Sequence, residues 1–179
     1  MHFKPIAYMN HDVFISYSRK DKEIVSLICK LLDGSHISYW LDTHDIHVGN
    51  EFMRDIVEAI KACKITLFVS SSESNRSLYT AKEVALAFNE GKHIIPYRID
   101  DSNFNTNLQL LFSDINCVDA IPFSEAKAIL LVNDIAALLK GDRGYTYQTV
   151  EERPYIDVST WEEPQNKFIK FITHLFREK

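Results

Sequence analysis

The sequence predicts an α/β protein, a doubly wound sheet of about five parallel strands with helices on both faces. Short apolar runs such as Val13-Phe14-Ile15 and Ile65 to Val69 are too brief for helices and read as buried strands. Between them lie stretches with apolar residues at helical spacing. Strand and helix signals alternate five times through mostly short connections, which selects parallel strands joined by crossover helices.

After a lead over residues 1–10, the first strand is read over 12–17. Ser18 followed by Asp21 resembles a capping box, and Ile24, Leu27, Ile28 and Leu31 form a helical stripe ending near Gly34, a suitable C-cap. Ile37 to Leu41 is a second strand. The loop Asp42-Thr43-His44-Asp45-Ile46-His47-Val48-Gly49-Asn50 follows, then a helix with Phe52, Met53, Ile56, Val57 and Ile60 on one face. The third strand covers 64–70. A polar turn leads from it to a helix whose apolar stripe is Ala81, Val84, Ala85 and Phe88, and which ends at Gly91. His93 to Asp100 is a fourth strand, in which Pro96 predicts an edge or a bulge. Residues 101–113 are a polar loop or a short irregular helix, and Ile115 to Asp119 a weaker fifth strand. Ser124 caps a last crossover helix with Ile129, Val132, Ile135, Ala136 and Leu139 facing inward.

Gly141 to Gly144 marks a boundary, giving one domain over 1–140 and an extension over 141–179. An amphipathic helix is expected at about 164–177, with Phe168, Phe171, Ile172, Leu175 and Phe176 on one side. Such a stripe packs back on its own domain or meets a partner.

Composition narrows the function. A net charge of −5 argues against nucleic acid as a partner held by phosphate neutralisation. Three cysteines, Cys29, Cys63 and Cys117, form no CxxC pair and read as small buried hydrophobes in a reducing compartment. The start, MHFKPIAYMNHD, carries no secretory signal pattern, and no run of about 18 apolar residues suggests a membrane span. A cytoplasmic location without membrane attachment is the expectation. Neither GxGxxG nor GxxxxGK[ST] occurs, so no dinucleotide or phosphate loop is read, and GxSxG is absent. His44 and His47 with Asp42 and Asp45 match no zinc spacing, so no metal is expected.

The candidate chemistry lies around the third strand. Glu83 follows Tyr79 by four residues, so a ring and a carboxylate share a helix face near the strand's carboxyl end. In open α/β sheets that end binds ligands. Most helical glutamates are solvated surface residues. Here the neighbours are Arg19, the hydroxyls of Ser16, Tyr17 and Ser70, and the Asp42–Asn50 loop. These groups suit a flat base, a pyrophosphate and a ribose.

Four segments in order, HDVFISYSRKDKE (11–23), YWLDTHDIHVGNEF (39–52), ITLFVSSSESNRSLYTAKEVALAF (65–88) and GKHIIPYRIDD (91–101), resemble a TIR domain over about residues 11–140. With INCVDA (115–120) the likeness is to bacterial single-domain members, similar to the TIR proteins of Thoeris-like anti-phage defence. The resemblance implies a flavodoxin-like fold and cleavage of the nicotinamide–ribose bond of NAD, with NAD as substrate and no further cofactor. The family's glutamate, often in WxxxE, matches Glu83, with Tyr79 in place of tryptophan. By the same likeness Ser16, Tyr17 and Arg19 line the cleft. Asp42, His47 and Phe52 belong to a loop that closes over substrate and makes TIR–TIR contacts. The implied product is ADP-ribose-derived, hydrolysed or cyclised, and read by a separate effector protein. A carboxylate suits the step, because losing nicotinamide leaves positive charge on the ribose and the departing base needs no general acid. A non-catalytic interaction module and a binding sensor without turnover are the alternatives; neither requires Glu83 behind Tyr79.

Overall fold

A computed structural model describes residues 11–41, 50–141, 155–158 and 161, the side chains of 50–53 excepted. The strands are β1 (Val13–Ser16), β2 (Tyr39–Leu41), β3 (Ile65–Ser70), β4 (His93–Arg98) and β5 (Val118–Asp119). All pair in parallel in the order β2-β1-β3-β4-β5. This is the flavodoxin-like winding, in which the chain reverses direction across the sheet between β1 and β3. The helices are α1 (Lys22–Gly34), α2 (Asn50–Ala62), α3 (Ser72–Arg76), α4 (Leu78–Asn89), α5 (Thr106–Leu111) and α6 (Glu125–Leu139), with a 3-10 turn over Arg19–Asp21. None of the described helices is long and apolar enough to cross a membrane.

Alternation along the strands divides the core in two. Val13 and Ile15 of β1 and Ile65, Leu67 and Val69 of β3 face α1 and α6, meeting Val25, Ile28, Leu32, Leu131 and Ile135. Phe14 and Phe68 face the opposite way, into a cluster with Ile56, Ile60, Val84, Ala85, Leu108 and Leu111 from α2, α4 and α5. Phe14 stacks on Trp40, its cross-strand partner, with ring centroids 5.2 Å apart. The amino ends of three strands are tied by Asp12. Its carboxylate accepts hydrogen bonds from Ser38 Oγ and Lys64 Nζ, each at 2.8 Å, and its carbonyl accepts from Ile65 N at 3.0 Å.

Several expectations are corrected. Pro96 lies in an interior strand, opposite Phe68 and buried. His93 and Ile99 donate backbone N–H groups toward β3, whereas Arg98 O accepts from Ala120 N on the β5 side. Even-numbered residues of β4 therefore turn their amides toward β5, and that pairing begins only at Tyr97 with Val118. Proline occupies a position whose missing donor has no ladder partner to lose. Gly34 ends α1 within the helix, and the left-handed turn falls on His36, at φ 56°. Gly91 does take the left-handed conformation expected after a helix, at φ 67°. Ser18 caps the 3-10 turn rather than α1. Ile129 is 43% exposed, and Ala128, Leu131, Val132 and Ile135 form the inner face of α6 instead. On α1 the deepest residues are Val25, Ile28, Cys29 and Leu32, a face rotated by one position from the expected stripe. Cys29 and Cys63 are buried and Cys117 half-buried; burial pushes the Cys63 thiol up to about 12. The expected helix at 164–177 lies outside the described residues.

Candidate active site

β1 ends in Ser16, in register with Phe68, and β3 runs on two residues to end in Ser70, at the point where the winding reverses. Both are buried, and both project to the face covered by α4. Ser16 Oγ donates to Glu83 Oε2 at 2.7 Å, joining residues 67 positions apart. Glu83 is half-buried on α4, flanked by buried Lys82 and Val84. The structure thus brings two of the expected residues into direct contact, at the carboxyl end of the sheet.

α4 is held there by the turn after β3. Ser71 and Ser74 form a reciprocal capping box that starts α3, with Ser74 N accepted by Ser71 Oγ at 3.2 Å and Ser71 N by Ser74 Oγ at 2.7 Å. Ser74 Oγ also donates to Val69 O at 2.8 Å, closing α3 onto the strand it follows. Ser70 Oγ donates to Asn75 Oδ1 at 2.9 Å, and Asn75 Nδ2 donates to Ser102 Oγ at 2.8 Å. Thr80 Oγ1 reaches back to Ser74 O at 2.6 Å, and Ser77 caps α4 through Thr80 N. The polar groups named here bond one another, β3 or Ser102, so the entry of α4 is fixed.

A second carboxylate, Asp21, sits on the same edge and accepts from Ser71 Oγ at 2.6 Å. Burial pushes its carboxyl above the usual value, aided by the nearby Asp100 and Glu73 charges and opposed by Ser71 and Lys20. Asp100 takes Ser72 N at 2.8 Å and Ser102 N at 3.0 Å. Lys20 pairs with Glu73 at 2.7 Å on the exposed rim.

The remaining expected residues scatter. Tyr79 is half-buried against the α2–α4–α5 cluster. Tyr17 packs against the opposite cluster with α1 and α6, because the residue after Ser16 takes the other face of the sheet. Arg19 is exposed in the 3-10 turn. Asp42 and His47 lie outside the described residues, as does the side chain of Phe52, whose backbone belongs to α2. Sequence reasoning missed Lys82, which is fully buried. The signal for it was Leu78 and Leu86, one turn to either side on its own face. It also missed the Asp21–Ser71 and Asn75–Ser102 links, which no local spacing announces.

The family model of the TIR domain matches residues 13–132. The chain belongs to the TIR-domain family. A probable 2' cyclic ADP-D-ribose synthase, TcpO, of Methanobrevibacter olleyae is 27% identical to this TIR domain over 97 residues. That match covers 52% of the chain and 28% of the relative, so the chain spans under a third of the curated relative's length. Among solved structures, the TIR domain of the Toll-related receptor TRR-2 from Hydra magnipapillata aligns with a TM-score of 0.58 at 20% identity, covering 70% of this chain and 98% of that one. The TIR domains of the activated Roq1 resistosome give 0.54 at 16%, covering 69% and 98%. The Clostridium botulinum CMP N-glycosidase BcmB gives 0.50 at 20%, covering 68% and 98%. These likenesses establish the fold.

Proposed function

We propose that this TIR domain cleaves the nicotinamide–ribose bond of NAD, with Glu83 as the carboxylate that meets the ribose. The observation that carries the reading is the 2.7 Å hydrogen bond from Ser16 Oγ to Glu83 Oε2 at the β1/β3 reversal. A helical glutamate with no task there would extend into solvent. This one is half-buried, and one oxygen is fixed by a buried hydroxyl. Fixing a carboxylate before substrate arrives is the condition for it to stabilise developing charge without reorganisation. As the C–N bond stretches, positive charge grows on the ribose, and an ionised carboxylate against the sugar lowers that barrier. Nicotinamide leaves as a neutral base, so no proton has to be delivered to it. Ser16 is then a positioning residue for Glu83 rather than a binder of substrate.

The similarity to TcpO supports NAD-derived chemistry and favours a cyclised ADP-ribose product over simple hydrolysis. Tyr79 one turn before Glu83 offers a ring for stacking. Arg19 on the exposed rim suits the pyrophosphate. Asp42, His47 and Phe52 are proposed to close the site, in a loop that also mediates self-association of TIR domains. A downstream effector protein in antiviral defence, with the whole system cytoplasmic, completes the reading.

The test is to incubate the purified chain with NAD, resolve nicotinamide by chromatography and identify the ribosyl product by mass spectrometry. Release by the wild type and its loss in Glu83→Gln supports the proposal. No release at any protein concentration favours an interaction module. Release undiminished in Glu83→Gln removes the assignment of the residue.

A further inference from the structure

Beyond the region matched by the family model, a short segment of chain is docked on the body of the domain. Val158 is fully buried in the α2–α4–α5 cluster, and Ile156 and Trp161 pack against the same cluster. Tyr155 and Asp157, between and before them, are exposed. Asn89, the last residue of α4, holds the backbone of this segment. Asn89 Nδ2 donates to Ile156 O at 2.9 Å, and Ile156 N donates to Asn89 Oδ1 at 2.9 Å. A carboxamide presents one donor and one acceptor in the spacing of a peptide group, so it pairs with a backbone as a neighbouring strand would. Trp161 N donates to Val158 O at 3.2 Å.

The placement is not a continuation of the helix before it. Leu138 and Leu139 at the end of α6 pack with α1 on one face of the sheet, whereas Ile156 and Val158 sit on the other. The chain changes faces to reach this site. We infer that residues 155–158, with Trp161, are an intramolecular strap, read by Asn89 and anchored by Val158, which completes the core over α4 and extends the folding unit past Gly141. The pairing makes Asn89 a recognition residue for backbone, and the apolar cluster beside it the pocket for a β-branched side chain. The inference stands apart from the NAD reading, since it uses neither Ser16 nor Glu83.

Hydrogen–deuterium exchange on the full chain tests it. The Ile156 amide is expected to exchange more slowly than an unstructured amide by about tenfold or more. Asn89→Leu, which keeps the size of the side chain and removes both bonds, should speed that amide by roughly tenfold while the amides of β1 and β3 keep their protection. Asn89→Asp, retaining only the acceptor, should fall between. Val158→Ala should loosen the whole segment. An unprotected Ile156 amide in the wild type overturns the inference by itself, even should a variant fail to fold. So does protection unchanged in Asn89→Leu, or protection that falls on dilution, which would place the strap in a neighbouring copy.

Discussion

At the scale of single residues, the account turns on a hydroxyl and a carboxylate. Ser16 is 1% exposed and spends its proton on Glu83 Oε2. A hydrogen bond to a charged group contributes roughly 1.5–3 kcal/mol, and its loss here is felt in the aim of the carboxylate. Ser16→Ala should therefore lower the rate of nicotinamide release at saturating NAD by about tenfold, with KM little changed. Ser16→Thr, which keeps the hydroxyl, should recover most of it. A fall in KM-limited rate alone, with the saturated rate intact, would return Ser16 to the role of a substrate contact. The placement of Glu83 at the carboxyl end of the sheet was legible in the sequence because Tyr79 and Glu83 sit one turn apart after an apolar strand ending in serines. The Ser16 hydroxyl was expected among its neighbours, but the bond between them was not legible, since a contact spanning 67 positions follows from sheet order and not from spacing.

At the scale of elements, the crossover from β3 to α4 shows what periodicity can and cannot reveal. The stripe Ala81, Val84, Ala85 and Phe88 was readable and is buried. Leu86, Ala87 and Lys82 are buried too, because α2, α5 and the strap cover the flanks that an amphipathic reading leaves to solvent. Pro96 misled for a related reason: propensity marks an edge, whereas the strand is interior but has its second partner over only part of its length. α3 was read as a turn, and its five residues owe their helical form to the Ser71/Ser74 box. Asn75 is the keystone of that crossover, 2% exposed and bonded to Ser70, Ser102 and Asn105. Asn75→Ala leaves the buried Ser70 hydroxyl without its acceptor and should cost about 1–3 kcal/mol. A urea midpoint shifted downward at unchanged slope is the expected result. An unmoved midpoint would show that the turn is held by its backbone alone.

At the scale of the whole molecule, the carboxylates at the ends of the sheet do not all respond alike to acid. Asp12 is drawn below the ordinary aspartate value of 3.8: burial alone would raise it, but the bonds from Lys64 and Ser38 together prevail. Asp100 is lowered in the same way, with burial outweighed by Ser102, the Ser72 amide and Arg98. For both, the folded form holds its proton less tightly than the unfolded chain. Their stabilisation is present above 3.8 and is lost as pH falls through that value toward the folded one. Asp21 runs the other way. Its carboxyl is raised by burial, so its contribution is greatest below 3.8 and is lost as pH rises through the folded value. With Glu73 also drawn down by its bond from Lys20, three lowered groups against one raised group predict a net fall in melting temperature from about pH 6 to about pH 3. Asp12→Asn should flatten the acid limb. A melting temperature that rises on acidification would contradict this assignment. The parallel order of the sheet and both apolar faces were legible in the alternating pattern. The three-way tie at Asp12 and the strap under Asn89 were not, because each joins residues that only the finished fold brings together.

The central claim is that the Glu83 carboxylate stands against the ribose of NAD. The direct measurement is the rate of nicotinamide release at saturating NAD for Glu83→Gln beside the wild type, with melting temperatures matched. Glutamine keeps the shape and an oxygen for Ser16 but carries no charge, so the account predicts a loss on the order of 100- to 1000-fold. A variant that releases nicotinamide at the wild-type rate would contradict it.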